Sequence, residues 1–279
     1  MKNAALITAL LALAGVIQLA LLEGPSWQPL VAAAGLLTIA WLISLPLKNA
    51  GVIDIFWGPA IALVAWVSVL AYERPFSAPT WLLLALVTAW ALRLAIHLAR
   101  RNIGAPEDFR YAAFRRQAGR GFWLRSLVTI FWLQAALAWV VAAPLIGHAA
   151  SASEASLGLL QYVGAAIFLF GFAFEWVADA QLRAFKADPD NQGEVLDSGL
   201  WGLTRHPNYF GEAVLWWGIY VASLDIGGGL FIVGPVLITW MLMRFSGVAM
   251  LEDGLKETKP KYADYVESTP AFFPRLLPR

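Results

Sequence analysis

The sequence predicts an all-α protein, a polytopic integral membrane helical bundle of about seven to eight transmembrane helices. Three observations support this. Of the 279 residues, 59% are hydrophobic and only 14% are charged, whereas about a quarter of the residues of a soluble domain are charged. The apolar residues form runs of about 20, the length that crosses a bilayer as a helix. The 14 tryptophans suit the membrane–water interfaces, where an indole buries its ring and keeps its N–H hydrated.

Eight apolar runs can be counted, and each is long enough to be considered as one span. The first follows Lys2 and has the general form of a signal peptide. We expect it to be retained, because it is long for a signal core and lacks a small-residue cleavage site before Glu23. The runs are 4–22, 29–47, 54–73, 79–99, 123–147, 157–178, 207–224 and 227–247.

Lys and Arg are distributed unevenly among the loops between these runs. With eight spans, the loops on the side of the N-terminus and the segment 248–279 hold nearly all of the cations, and the opposite side holds only Arg74. Because cytoplasmic loops are enriched in Lys and Arg, both termini and the large loops are expected in the cytoplasm. An odd number of spans would break this alternation.

Several classes of function have no support in the composition. The chain has no cysteine, which excludes disulfides, thiolate nucleophiles and cysteine-based metal sites. The three histidines are widely separated, so no metal site is predicted. There is no phosphate-binding Walker loop and no glycine-rich dinucleotide fingerprint. No basic block suits a nucleic acid, and no obligate protein partner is evident.

The segment 201–212 reads Trp-Gly-Leu-Thr-Arg-His-Pro-Asn-Tyr-Phe-Gly-Glu and is the first candidate site. Pro207 suits a first helical turn, where its missing N–H is not needed. Arg205 and His206 come directly before it, and free backbone N–H groups with two cations favour an anion such as phosphate. The alternative is an interfacial helix start with a solvated basic turn.

Polar side chains on two apolar runs form the second candidate site. Asn208 and Glu212 lie one helical turn apart, with Tyr209 between them, and Glu175 and Asp179 repeat that spacing near the end of the sixth run. Carboxylates within a span are costly, so they are usually paired or functional. Acids with basic neighbours suit the ribose and phosphates of a nucleotide, and an ion-paired helix end is the alternative. The basic neighbours are Arg183 and Lys186.

Asp54 and His97 are the third candidate pair. Asp54 begins the third run, where Phe56 and Trp57 would line an apolar pocket, and His97 lies near the end of the fourth run at a similar depth. A carboxyl group and an imidazole could together polarise a carbonyl group and donate a proton. The alternatives are a helix N-cap for Asp54 and a structural role for His97.

Two further segments lie on the expected cytoplasmic side. The loop 101–111, which contains Arg110 and Tyr111, is rich in both signs of charge and would either cover a cofactor or remain a solvated loop. Arg244 ends the last run, where reaching to the membrane surface would also explain it. The segment that follows predicts an amphipathic cap on that surface.

Residues Thr204–Glu212 resemble the C-terminal part of the steroid 5-alpha-reductase family, membrane enzymes that use NADPH to reduce the carbon–carbon double bond of an enone. The resemblance extends upstream through Glu175–Lys186 and downstream to Arg244. It is greatest to the bacterial branch, which carries motifs similar to Ile53–Gly58 and Glu107–Tyr111. The bacterial inner membrane is therefore the expected location.

The resemblance also implies roles for individual residues. Asp54 stands where the animal enzymes have a glutamate that contacts the substrate ketone, and His97 stands where they have a catalytic tyrosine. Phe56 and Trp57 would contact the substrate, a steroid-like or other lipid enone from the bilayer. The contacts expected for NADPH are Arg110, Tyr111, Glu175, Asp179, Arg183, Lys186, Arg205, His206, Asn208, Tyr209, Glu212 and Arg244.

No polar stretch is long enough to fold as a separate soluble domain. Residues 1–279 would form a single membrane domain, with 1–50 peripheral to its core and 150–279 binding the cofactor. One alternative stays open, because the pattern Arg-His-Pro-x-Tyr-x-Gly also occurs in S-adenosylmethionine-dependent membrane methyltransferases that act on isoprenylcysteine or phospholipids. The Asp54 motif, the eight spans and the basic pair Arg183 and Lys186 favour the reductase.

Overall fold

The computed structural model describes residue 15 and residues 24–73, 76–151, 156–244 and 262–275. It is all-helical, with 80% of its residues in helices, and it contains no strand in these described ranges. The all-α prediction is therefore confirmed for this part of the chain. The first apolar run, 4–22, lies outside the described residues.

Five helical segments are long and apolar enough to cross a membrane in the described part of the chain. They overlap the second to sixth predicted runs. The last two runs contain the helices Pro207–Ser223 and Val233–Arg244, whose 17 and 12 described residues are fewer than the about 20 that span a bilayer, and the description stops at Arg244. The total of seven to eight spans therefore stays a prediction. The five segments are α1 (Gln28–Leu47), α2 (Val52–Ala71), α3 (Ala78–Asn102), the helical run Phe109–Val141 and α8 (Leu159–Ala187).

The run Phe109–Val141 begins earlier and ends earlier than the predicted span 123–147. It ends because Pro144 supplies no N–H and cannot continue the hydrogen-bond ladder of a helix. A new helix then starts at Ala143. The run is built from α4 (Phe109–Ala118), the 3₁₀ turn Gly119–Gly121, α5 (Phe122–Ser126), a π-helical segment Leu127–Trp132 and α6 (Leu133–Val141).

The remaining elements are short. They are α7 (Ala143–Ser151), the 3₁₀ turns Pro189–Asn191 and Gly199–Gly202, α9 (Pro207–Ser223), a π-helical segment Leu224–Gly228, α10 (Val233–Arg244) and α11 (Tyr262–Ser268). Gly227 has a φ of 100°, a conformation that favours glycine. Ile226 and Gly227 have non-helical backbone angles, so the chain kinks within this π-helical segment.

The chain divides into two compact units, residues 1–161 with 223–234, and residues 162–222 with 235–279. In the first unit, α2 packs against both α1 and α3. Its buried face includes Ala60, Ile61 and Val64. The prediction of a single membrane domain stays a prediction, since compact packing units and membrane domains are different divisions of a chain.

Glycines bring α8 and α9 of the second unit into backbone contact. A Cβ on Gly171 would lie 2.5 Å from the Leu215 nitrogen, and one on Gly211 would lie 2.6 Å from the Glu175 nitrogen. Gly164 and Gly218 repeat these contacts one heptad further along. No larger residue fits at these positions without separating the helices. The close approach sets the Glu175 backbone against α9.

Candidate functional site

Asp54 and Tyr111 form a hydrogen-bonded pair in the first unit. Asp54 lies in the first turn of α2, and the Tyr111 hydroxyl, on α4, donates to Asp54 Oδ1 at 3.0 Å. Tyr111 is 8% exposed. The Arg110 guanidinium lies 5.6 Å from the centre of the Tyr111 ring. The sequence groups Tyr111 with the cofactor contacts, whereas the structure joins it to the carboxylate predicted to act on the substrate.

A clasp formed by Glu107, Arg115 and Ala50 positions this pair. Glu107 Oε1 accepts from the Ala50 backbone N–H at 2.8 Å. Arg115 donates to both Glu107 oxygens, at 2.9 and 2.7 Å. The clasp ties the loop before α4 to the turn before α2, and Tyr111 and Asp54 lie in the first turns of these two helices.

The same contacts favour the ionised form of Glu107. Partial burial acts to raise its pKa, but the hydrogen bonds from Arg115 and Ala50 outweigh burial and hold the pKa of Glu107 below its ordinary value. The same holds for Asp108, because its hydrogen bonds from Arg110 outweigh the effect of burial and lower the pKa of Asp108. Both carboxylates therefore remain charged near neutral pH.

The other predicted residues of the first unit lie on α2 and α3. Phe56, Trp57 and His97 are half-buried. The Trp57 ring meets Trp90 edge to face, with the ring centres 6.1 Å apart. The Trp57 indole N–H is buried and has no hydrogen-bond partner within the described residues, which leaves a donor for a polar ligand atom. The pairing of His97 with Asp54 stays a prediction.

Buried carboxylates gather in the second unit. Glu175, Asp179 and Glu212 are 2%, 4% and 6% exposed. The Asn208 side-chain amide donates to Asp179 Oδ1 at 3.1 Å, so α8 and α9 are joined by the groups that the sequence singles out. The glycine contacts at Gly171 and Gly211 bring these groups within reach of one another.

The predicted cations of the second unit fall into two classes. Arg183, Lys186 and Arg244 are exposed and so accessible to phosphate groups. His206 is buried and stacks on the Tyr209 ring, with the ring centres 5.5 Å apart and the planes 5° apart.

Arg205 makes contacts that the sequence does not predict. It is buried, and its Nη1 atom donates to the carbonyl oxygens of Val266 and Thr269, at 3.0 and 2.5 Å. Both acceptors lie near the end of α11, where a cation is favoured by the exposed carbonyls of a helix. Arg205 thus holds the segment 262–275, and its predicted contact with the cofactor stays a prediction.

The segment 262–275 is docked on the turn before α9. The Thr204 hydroxyl donates to the Phe272 carbonyl at 2.9 Å, the Tyr265 hydroxyl to the Trp201 carbonyl at 2.5 Å, and the Arg275 N–H to the Leu203 carbonyl at 3.0 Å. The sequence predicts a cap on the membrane surface, whereas these described contacts are with protein.

The described residues contain no group of three or more metal-ligating side chains.

Comparison with known families matches residues 40–269 to a family described as "Protein of unknown function (DUF1295)". The chain belongs to the DUF1295 family. This family is related to steroid 5-alpha-reductase-like membrane proteins. The match begins within α1 and includes Asp54, Tyr111 and the carboxylates of the second unit.

Three relatives of this DUF1295 chain are informative. An uncharacterized protein of Schizosaccharomyces pombe, C594.04c, is 23% identical over 273 residues, which cover 85% of this chain and 76% of the relative. Polyprenal reductase 2 of Arabidopsis thaliana is 32% identical over 117 residues, 41% of this chain and 31% of the reductase. The probable O-methyltransferase ustE of Ustilaginoidea virens is 31% identical over 87 residues, 31% of this chain and 29% of the methyltransferase.

These similarities point to a membrane reductase or a membrane methyltransferase. The match to the polyprenal reductase is longer than the match to the methyltransferase, which suggests a membrane reductase. The matched segments cover about a third of each of these two enzymes.

Proposed function

We propose that this DUF1295 protein is a membrane-embedded reductase that uses NADPH to reduce the carbon–carbon double bond of an apolar enone, such as a 3-oxo-4-ene steroid or another lipid enone from the bilayer. The observation that carries the proposal is the hydrogen bond of Tyr111 to Asp54 at the start of an apolar helix. A phenol and a carboxyl group are suited to polarising a carbonyl oxygen and giving it a proton. The similarity to polyprenal reductase extends the substrate class to conjugated aldehydes on apolar chains.

The polar groups of the second unit suit a phosphate-bearing dinucleotide. Buried Glu175, Asp179 and Glu212 provide acceptors for ribose hydroxyls. The exposed cations Arg183 and Lys186 follow on the same helix and would meet phosphates. The remaining predicted NADPH contacts are Arg110, Arg205, His206, Asn208, Tyr209 and Arg244, whereas Tyr111 is assigned to the substrate carbonyl because it bonds to Asp54.

NADPH, when bound, supplies the hydride that the β carbon of the enone accepts. The residues of the chain manage the negative charge that then develops on the carbonyl oxygen. With substrate bound, the Tyr111 hydroxyl would turn its single proton from Asp54 to that oxygen, and His97 would polarise the carbonyl from α3. The enol so formed becomes the saturated carbonyl compound when the α carbon takes up a proton and the oxygen returns its proton to Tyr111. The apolar side chains Phe56 and Trp57 exclude water from the substrate.

The second candidate function is methyl transfer from S-adenosylmethionine to an isoprenylcysteine or a phospholipid. It is supported by the similarity to the probable O-methyltransferase and by the Arg-His-Pro segment before α9. This reaction needs no proton donor at Asp54 and Tyr111. The two functions therefore differ in the cofactor bound and in the residues required.

We further propose seven to eight spans in the bacterial inner membrane, with the termini and the cofactor site in the cytoplasm. The support is the uneven distribution of Lys and Arg between the loops. The five helical segments that are long enough to span are consistent with a polytopic protein.

The decisive experiment measures cofactor binding and turnover with the purified full chain. We expect NADPH to bind more tightly than S-adenosylmethionine, and NADPH absorbance to fall when a 3-oxo-4-ene steroid or a polyprenal is added. Product analysis should show a saturated carbon–carbon bond. Binding of S-adenosylmethionine without binding of NADPH would overturn the reductase in favour of the methyltransferase.

A further inference from the structure

An unusual run of basic residues surrounds the turn between α4 and α5. Residues 109–153 contain five arginines and no Asp or Glu. Two of the arginines are neutralised by the preceding loop, since Arg110 pairs with Asp108 at 2.8 Å and Arg115 pairs with Glu107 at 2.7 Å. The other three are exposed and have no ion-pair partner among the described residues. They are Arg116, Arg120 and Arg125.

All three arginines lie in or near one tight turn. Arg120 stands between Gly119, whose φ is 55°, and Gly121, in the 3₁₀ turn. Arg116 lies one turn earlier, and Arg125 Nε is 3.7 Å from the position that a Cβ on Gly121 would take. Like charges at such spacing repel each other. An anion at this turn would remove that cost.

Exposed apolar side chains accompany the cations. Phe114, Trp123 and Leu124 are 54%, 53% and 52% exposed. Tryptophan with arginine is typical of the level of lipid headgroups, where a ring enters the acyl region and a cation meets phosphate. A nucleic acid or an acidic protein would account for the arginines and leave the apolar side chains unexplained. The combination favours a lipid.

We infer that Phe114, Arg116, Arg120, Trp123, Leu124 and Arg125 form a binding surface for the headgroup of an anionic phospholipid. The three arginines, which we call the arginine surface, contact the phosphate, and the apolar side chains enter the acyl region. Each cation near an anionic membrane surface strengthens binding by about fivefold. The three together give a preference of up to about a hundredfold for an anionic over a zwitterionic lipid. The inference does not depend on the reductase proposal.

The test uses the full chain, purified in a neutral detergent and supplied with equal amounts of phosphatidylglycerol and phosphatidylcholine that carry the same acyl chains. Native mass spectrometry then counts the lipids retained. We expect the unsubstituted chain to retain phosphatidylglycerol at least tenfold over phosphatidylcholine, with the preference weakening as salt is added. The combined change of Arg116→Gln, Arg120→Gln and Arg125→Gln should reduce it below about twofold.

The matched control carries Lys at the same three positions and keeps the positive charge. It should retain most of the preference, and circular dichroism should show the same helix content in all three proteins. Equal retention of the two lipids by the unsubstituted chain would overturn the inference. So would an unchanged preference in the Gln variant, or displacement of the lipid by a DNA duplex.

Discussion

The hydrogen bond between Tyr111 and Asp54 joins residues to which the sequence assigns different roles. Both could be singled out from the sequence, one as an acid at the start of a run and the other in a charged loop. Their contact could not, because no periodicity relates residues so far apart in different helices. The hydrogen bond from Ala50 to Glu107 is even harder to predict from the sequence, because its donor is a backbone N–H that every residue except proline has.

Removing the Tyr111 hydroxyl tests the proton donor. We expect Tyr111→Phe to lower kcat with an enone by about 10²- to 10⁴-fold, the usual contribution of a general acid. The dissociation constant of NADPH should change little, because the described contacts of Tyr111 are with Asp54 and Arg110. Stopped-flow turnover and equilibrium binding measure the two quantities.

Tyr162→Phe is the control for this substitution, since Tyr162 is 61% exposed. Its kcat should equal that of the unsubstituted chain. A Tyr111→Phe protein with full turnover would exclude the hydroxyl as proton donor. Full turnover with weakened NADPH binding would support instead the role that the sequence alone assigns to Tyr111.

At the scale of elements, small residues decide how the helices meet. The sequence shows polar groups one turn apart on the sixth and seventh runs. It does not show that Gly171 and Gly211 let the two backbones touch, because glycine is also common in turns and at helix ends. The carboxylates therefore lie close together because glycines on neighbouring turns of both helices let the two backbones approach.

Replacing Gly211 by Ala should separate α8 from α9. The new Cβ would lie 2.6 Å from the Glu175 nitrogen, and overpacking of this kind costs about 1–3 kcal/mol. We expect a lower midpoint of thermal unfolding and weaker binding of NADPH. Gly35→Ala is the control, since a Cβ at Gly35 has no neighbour within 4 Å and alanine is the better helix former. Equal unfolding midpoints for the two variants would contradict the prediction.

The clasp at Glu107 should make the stability of the fold depend on pH. Because the pKa of Glu107 is lowered in the folded chain, its ion pair stabilises the fold above the ordinary pKa of about 4.3. That contribution is lost as the pH falls through the folded value. Glu107→Gln should lower the unfolding midpoint at neutral pH and weaken its dependence on acid.

Thermal unfolding measured between neutral and acidic pH checks this prediction. Glu73→Gln is the control, because Glu73 is exposed, and its profile should follow that of the unsubstituted chain. Coinciding profiles for Glu107→Gln and the unsubstituted chain would show that the clasp contributes nothing at neutral pH.

At the scale of the whole molecule, composition identifies a membrane protein but does not fix where each helix begins and ends. Hydropathy alone does not distinguish a full span from a shorter helix that begins at a proline or ends at a glycine turn. Pro207 begins α9, and the kink at Gly227 separates α9 from α10, which is described as far as Arg244. The five longer segments overlap the second to sixth runs, and one of them ends at Val141 because Pro144 interrupts its predicted run.

The orientation in the membrane can be tested directly because the chain contains no cysteine. Single substitutions Ser198→Cys, in a loop, and Ala78→Cys, at the start of α3, each place one thiol at an exposed position, and we expect these two positions on opposite sides of the membrane. A membrane-impermeant maleimide should label Ala78→Cys in intact cells and should label Ser198→Cys only after the membrane is permeabilised. Labelling of Ser198→Cys in intact cells would reverse the proposed orientation.

The docking of 262–275 also dictates an order of events during synthesis. Arg205 is separated by 61 and 64 residues from the two carbonyls that it binds. A ribosome adds about 5–20 residues per second, so the turn before α9 waits roughly 3–13 s for its partners. During that interval the Arg205 guanidinium must stay hydrated. The last part of the candidate cofactor site to be completed is therefore the part that contains the Arg-His-Pro segment.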